Sequence, residues 1–137
     1  MLNHQSRLDM FADAPPTAPT QDNPPTHDAT SLAPHQGTVR VNGIELAYFE
    51  HNAPQSDSPT LLFVHATGFH GRVWDKIIHA FPHHHALALE LRGHGRSQKK
   101  PIDHWNTMGR DMAAFATELG LQNAIGIGHS VGAHAMV

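Results

Sequence analysis

The pentapeptide Gly128-His129-Ser130-Val131-Gly132 constrains this chain more than any other stretch. It follows directly on a short apolar run, Ala124 to Gly128, and leads directly into residues that read as a helix start. A chain that leaves a strand and enters a helix with almost no connection must turn sharply, and its central residue takes the strain. The residues two before and two after must then be tiny, a need that Gly128 and Gly132 meet. The Ser130 hydroxyl is expected to stand clear above the sheet edge, with the Val131 N–H beside it as a donor. On the pentapeptide alone, a glycine-rich turn with an incidental serine stays open.

The segments upstream supply a context. Thr38 to Val41 and Ile44 to Glu50 are β-rich runs, and Asn42-Gly43 between them is a hairpin signal because both residues tolerate positive φ. Leu61 to His65 is a continuous apolar run, which suits a strand covered on both faces, and Ala86 to Leu91 reads as the next buried-type strand. Between them, Val73, Trp74, Ile77, Ile78 and Phe81 recur at helical spacing, predicting a helix over 72–81 that Pro82 ends. Asp103 or Asn106 is placed to cap a second helix, with Met108, Met112, Phe115 and Leu119 along one side and Gly120 closing it. Strands alternating with helices predict an α/β fold: a mainly parallel sheet flanked by helices. In such a sheet the loops after successive strands gather at one carboxyl edge. His65-Ala66-Thr67-Gly68-Phe69, Glu90 to Ser97 and the pentapeptide should share that rim.

Residues 1–36 hold six of the ten prolines, spaced by Thr, Asp, Asn and Gln, and read as a disordered Pro-rich tail; 37–137 form the domain. Leu8, Met10 and Phe11 are the residues of the tail with the means to dock as a short helix. The absence of cysteine excludes disulfides, thiolate catalysis and cysteine-based metal sites. A net charge of −3 with neutral histidines argues against a nucleic-acid groove. No apolar run is long enough to span a bilayer. Met1 to Asp13 lacks the apolar core of a secretory signal, so a cytoplasmic protein is expected.

Three motifs in this order resemble the α/β-hydrolase superfamily, in its serine esterase, lipase and haloperoxidase-like branch. The likeness is read over residues 38–137, as the N-terminal half of such a protein. It implies a partial α/β-hydrolase fold lacking its C-terminal strands, with Ser130 as nucleophile. It also implies an oxyanion hole from the Thr67 and Val131 amides. His65, Ala66, Thr67 and Gly68 occupy the place of the family's His-Gly-x-Pro loop, with Ala for Gly and Gly for Pro. His65 is implied to brace that loop, not to act as base. Glu90 stands where the family's Asp-x-Arg-Gly-His-Gly-x-Ser segment begins, and Arg92, Gly93, His94, Gly95 and Ser97 match it. Serine at the elbow argues against the superfamily's dehalogenases and epoxide hydrolases, which use aspartate there.

A serine hydroxyl needs a base, and the base an orienter. In this fold both follow the nucleophile in chain order, and only seven residues follow Ser130, none acidic. His134, one helical turn on, is expected beneath the elbow and out of reach of the hydroxyl. His129 is expected beside the serine, where it supports or lines the pocket. The chain therefore reads as cut short, or completed by something else. Trp74, Trp105 and Phe69 are candidates for shaping a pocket, Trp74 equally for core packing. His83-His84-His85 reads as a run that cannot converge on one ion, so no metal and no cofactor are expected. Arg92, Arg96, Lys99 and Lys100 read as a solvated basic face, and Asp111 as a helix-face residue within reach of the Gly93–Gly95 loop.

Two functions remain. One is a serine hydrolase of small ester-like or related acyl substrates, incomplete in this chain. The other is an inactive fragment that binds a small ligand or a partner. An uncovered strand at the sheet edge would favour self-association.

Overall fold

A computed structural model describes residues 33–54 and 56–137. The stretch 1–32, which holds most of the expected Pro-rich tail together with Leu8, Met10 and Phe11, lies outside the described residues. Strand β1 (His35–Val41) turns at Asn42-Gly43 into β2 (Ile44–His51). Both turn residues have positive φ, 49° and 73°, the twist a two-residue hairpin requires. Strands β3 (Thr60–Val64), β4 (Ala86–Leu89) and β5 (Ala124–Gly128) follow, separated by helices. A 3-10 turn at Gly71–Trp74 runs into a single α-turn, α1 (Asp75–Ile78). Helix α2 (Asn106–Glu118) joins β4 to β5, and α3 (Val131–His134) follows β5.

The sheet is mixed, which corrects the expectation of a mainly parallel sheet lacking its C-terminal strands. Its order is β1-β2-β4-β3-β5. The β1–β2 and β2–β4 pairings are antiparallel; β4–β3 and β3–β5 are parallel. Strand–helix alternation governs only the segment from β3 onward. The hairpin before it meets β4 through long-range pairing, Tyr48 opposite Leu89 and His51 opposite Ala86, which no local pattern encodes.

Each central strand feeds two cores. Leu62, Val64, Leu87 and Leu89 pack with Ile44, Leu46, Met108, Phe115, Val131 and Ala135 on one side. Leu61, Phe63, Ala86 and Ala88 pack with Phe49 and Ile78 on the other, with Trp74 against them. Burial on both faces is why β3 and β4 read as unbroken apolar runs.

The expected helix over 72–81 is shorter than its periodicity implies. Only Ile78 of its apolar set is buried, while Val73, Ile77 and Phe81 are exposed. Helix α2 starts at Asn106 behind Trp105, whose side chain makes no cap bond. Asp103 instead accepts a hydrogen bond from the Thr107 hydroxyl at 3.0 Å. Gly120, at φ 64°, closes the helix as expected. Among the described residues, no helix is long and apolar enough to cross a membrane.

Candidate active site

The parallel strands end together. Val64 pairs with Leu89 on one side and with Gly128 on the other, so the loops after β3, β4 and β5 leave from one rim.

His65 ties the first two loops together. It is inaccessible to water, its Nε2 accepts the Leu91 N–H at 3.1 Å, and its Nδ1 lies 2.8 Å from the Ala66 carbonyl. Leu91 can only donate, so Nε2 is bare and the proton sits on Nδ1. Burial pushes its pKa below the ordinary histidine value, against the pull of the Ala66 carbonyl. Both nitrogens of the neutral ring are thus committed to structure.

The loop after β4 is braced by carboxylates and a hydroxyl. Glu90 is fully buried and accepts from the Gly71 N–H at 3.1 Å, the Arg96 N–H and the Arg96 guanidinium. Ser97 donates to the Glu90 carbonyl and accepts the Ala47 N–H at 2.8 Å, pinning the loop to β2. Arg92 is buried and paired with Asp111, so the basic run is not one solvated face. Asp111 in turn lies inside, on the buried side of α2, and also accepts from the Asn42 side chain at 3.0 Å. His85, from the histidine run, bonds the Thr60 hydroxyl and the Glu50 carboxylate, each at 2.9 Å.

The third loop is the sharp turn. Ser130 has φ 53° and ψ −118°, a conformation that L-residues rarely adopt and that costs about 1–3 kcal/mol. Its neighbours show why glycine flanks it. A Cβ on Gly128 would collide with the Ala133 backbone, and one on Gly132 would strike the Val64 and His65 carbonyl oxygens. The Ser130 side chain makes no cap hydrogen bond to α3. The first loop turns through the Phe69 N–H and the Ala66 carbonyl. Among the described residues, neither the Thr67 nor the Val131 N–H is spent on a backbone carbonyl.

Ser130, Val131 and Thr67 line one surface cleft of about 500 Å³, together with Trp105 and His134. His129 is not in its wall; its ring lies 6.4 Å from that of Phe69. Trp74 packs on Phe63, at 5.3 Å, in the core. His134, expected beneath the elbow, is exposed and faces the cleft. Its position was legible: four residues on from Ser130 is the same side of a helix. Asp111 was legible too, since it falls between Met108 and Met112 on the apolar stripe of α2.

Residues 61–137, more than half of the chain, match the model of the Alpha/beta hydrolase family. This chain belongs to the α/β-hydrolase family. A haloalkane dehalogenase of Mesorhizobium japonicum is 34% identical over 83 residues, covering 60% of this hydrolase-family chain and 25% of the dehalogenase. A solved membrane phospholipase A, described as a bacterial virulence factor, superposes with TM-score 0.68 at 28% identity, over 75% of this chain and 34% of that one. An epoxide hydrolase from Vigna radiata superposes with TM-score 0.68 at 25% identity, over 76% and 34%.

These findings correct the reading of the chain as the N-terminal half of an esterase-branch protein. The family match falls in the C-terminal part of this chain and starts at β3, not at 38. The chain spans a quarter to a third of its relatives' lengths, and they include dehalogenases and epoxide hydrolases. The reason lies in the sequence: the distinguishing motifs all follow residue 61, whereas the β1–β2 hairpin is a pattern many folds share.

Proposed function

We propose that this α/β-hydrolase-family chain carries the nucleophile and oxyanion donors of a serine hydrolase acting on small ester-like or related acyl substrates. One observation carries the reading: Ser130, held at positive φ, opens into the same cleft as Thr67 and Val131. Its hydroxyl oxygen attacks the acyl carbonyl carbon and its proton passes to a base. The Thr67 and Val131 N–H groups receive the negative charge that develops on the carbonyl oxygen. The intermediate collapses by breaking the bond to the leaving oxygen, which takes up a proton, and water then releases the acid from the acyl-serine. His65 holds the Thr67 loop and takes no part in proton transfer. Serine at the elbow favours acyl chemistry, of the kind the phospholipase relative is named for, over that of the dehalogenase and epoxide hydrolase relatives.

A second reading is binding without turnover. It is favoured by the absence of a carboxylate from the described residues that line the cleft, so that His134 there has no acidic orienter.

A fluorophosphonate probe separates the two. Slow labelling at Ser130, accelerated by added imidazole as an external base and lost in Ser130→Ala, is expected. Labelling that persists in Ser130→Ala overturns the nucleophile assignment. No labelling with imidazole present, alongside ester binding, favours the second reading.

A further inference from the structure

Trp105 is the largest residue lining the cleft and is 55% exposed, which is high for an indole. It sits at the N-cap of α2, and its side chain plays no part in capping that helix. Beside Ser130, Thr67 and Val131, the cleft is lined by this indole and the His134 imidazole. No carboxylate, ammonium or guanidinium group lines the cleft among the described residues. A charged substituent would find no counter-ion, whereas a flat ring would find a face to stack on.

We infer that Trp105 is the specificity-determining residue of this site, and that it selects substrates carrying a flat, uncharged aromatic ring next to the ester. The inference rests on the acyl-transfer reading for placing that ring beside Ser130. The ring preference itself is a binding property and is measured without turnover.

The experiment uses the full chain with Ser130→Ala, so that esters bind and are not consumed. Methyl benzoate and methyl cyclohexanecarboxylate are titrated separately while the two indole N–H signals, from Trp74 and Trp105, are followed by NMR. The signal missing in Trp105→Phe identifies Trp105. Methyl benzoate is expected to shift that signal and to bind roughly two- to tenfold more tightly than the saturated ester, the span of an aromatic pair. Burial alone would favour the saturated ester, which has the larger apolar surface. In Trp105→Ala the preference is expected to vanish, and in Trp105→Phe to persist in part, both read from saturation transfer to the ligands. Equal affinities, a shift confined to Trp74, an unchanged preference in Trp105→Ala, or no binding of either ester overturns the inference. A failure of the nucleophile reading looks different: fluorophosphonate labelling persists in Ser130→Ala while the ring preference stands.

Discussion

Arg92 and Asp111 meet through two hydrogen bonds, Nε to Oδ2 at 2.6 Å and Nη2 to Oδ1 at 2.9 Å, with both side chains nearly closed to water. The pair joins the loop after β4 to α2, and through Asn42 to the hairpin. Its bonds to Asp111 push the Arg92 pKa up, so the guanidinium stays charged at every working pH. Asp111→Ala strands that charge inside and is expected to cost about 3–5 kcal/mol in denaturant melts. Replacing both partners by apolar residues of like volume should cost far less. Equal losses in the single and double variants would show that the charges are not what matters there.

The positive φ at Ser130 gives a stability test that needs no substrate. Glycine tolerates that conformation and alanine does not, so Ser130→Gly should exceed Ser130→Ala in stability by about 1 kcal/mol. Urea unfolding of the two variants measures the gap. A stabler alanine variant would mean that the turn relaxes and holds no strain.

Acid should loosen this protein through His65. Burial, the larger influence, holds its pKa below the ordinary 6.5, with His94 pushing the same way. The unfolded chain therefore takes up a proton at a higher pH than the native one does. The stabilisation is complete above about pH 6.5 and is lost as pH falls toward the native value. His51, also pushed down chiefly by burial, adds to the same slope. The melting temperature is expected to fall between pH 7 and 5, and His65→Gln to flatten that dependence while lowering stability overall. An unchanged slope in His65→Gln would clear this residue of the effect.

Strand β5 borders the sheet, and Ala124, Ile125 and Gly126 are exposed along it. The strand carries neither charge nor proline, the usual guards of such a border. The chain is expected to associate as its concentration rises, and Ile125→Lys to suppress this in sedimentation experiments. Equal sedimentation of the two chains would point to another surface.

Much of this was legible in the residues. Asn42-Gly43 announced the hairpin, and the apolar runs at 61–64 and 86–89 announced strands buried on both faces. The glycines around Ser130 announced the sharp turn. Other features depended on distance. That β2 lies against β4, and not beside β3, is a pairing between residues about 40 apart in sequence, and periodicity is blind to it. The 72–81 pattern foretold a longer helix because Val73, Ile77 and Phe81 have the spacing of a buried stripe, yet they face outward. Asp111 reads as a helix-face residue within reach of the Gly93–Gly95 loop, but its pairing with Arg92 joins a helix to a loop and has no local signature.

The contact between Gly132 and the Val64 carbonyl has a practical corollary for anyone wishing to retune this scaffold. A methyl group at 132 would strike the Val64 carbonyl of β3 and one at 128 the Ala133 backbone, so directed evolution gains nothing by sampling these two positions. Diversity is better spent at 67, 105 and 134, which line the hollow and are exposed.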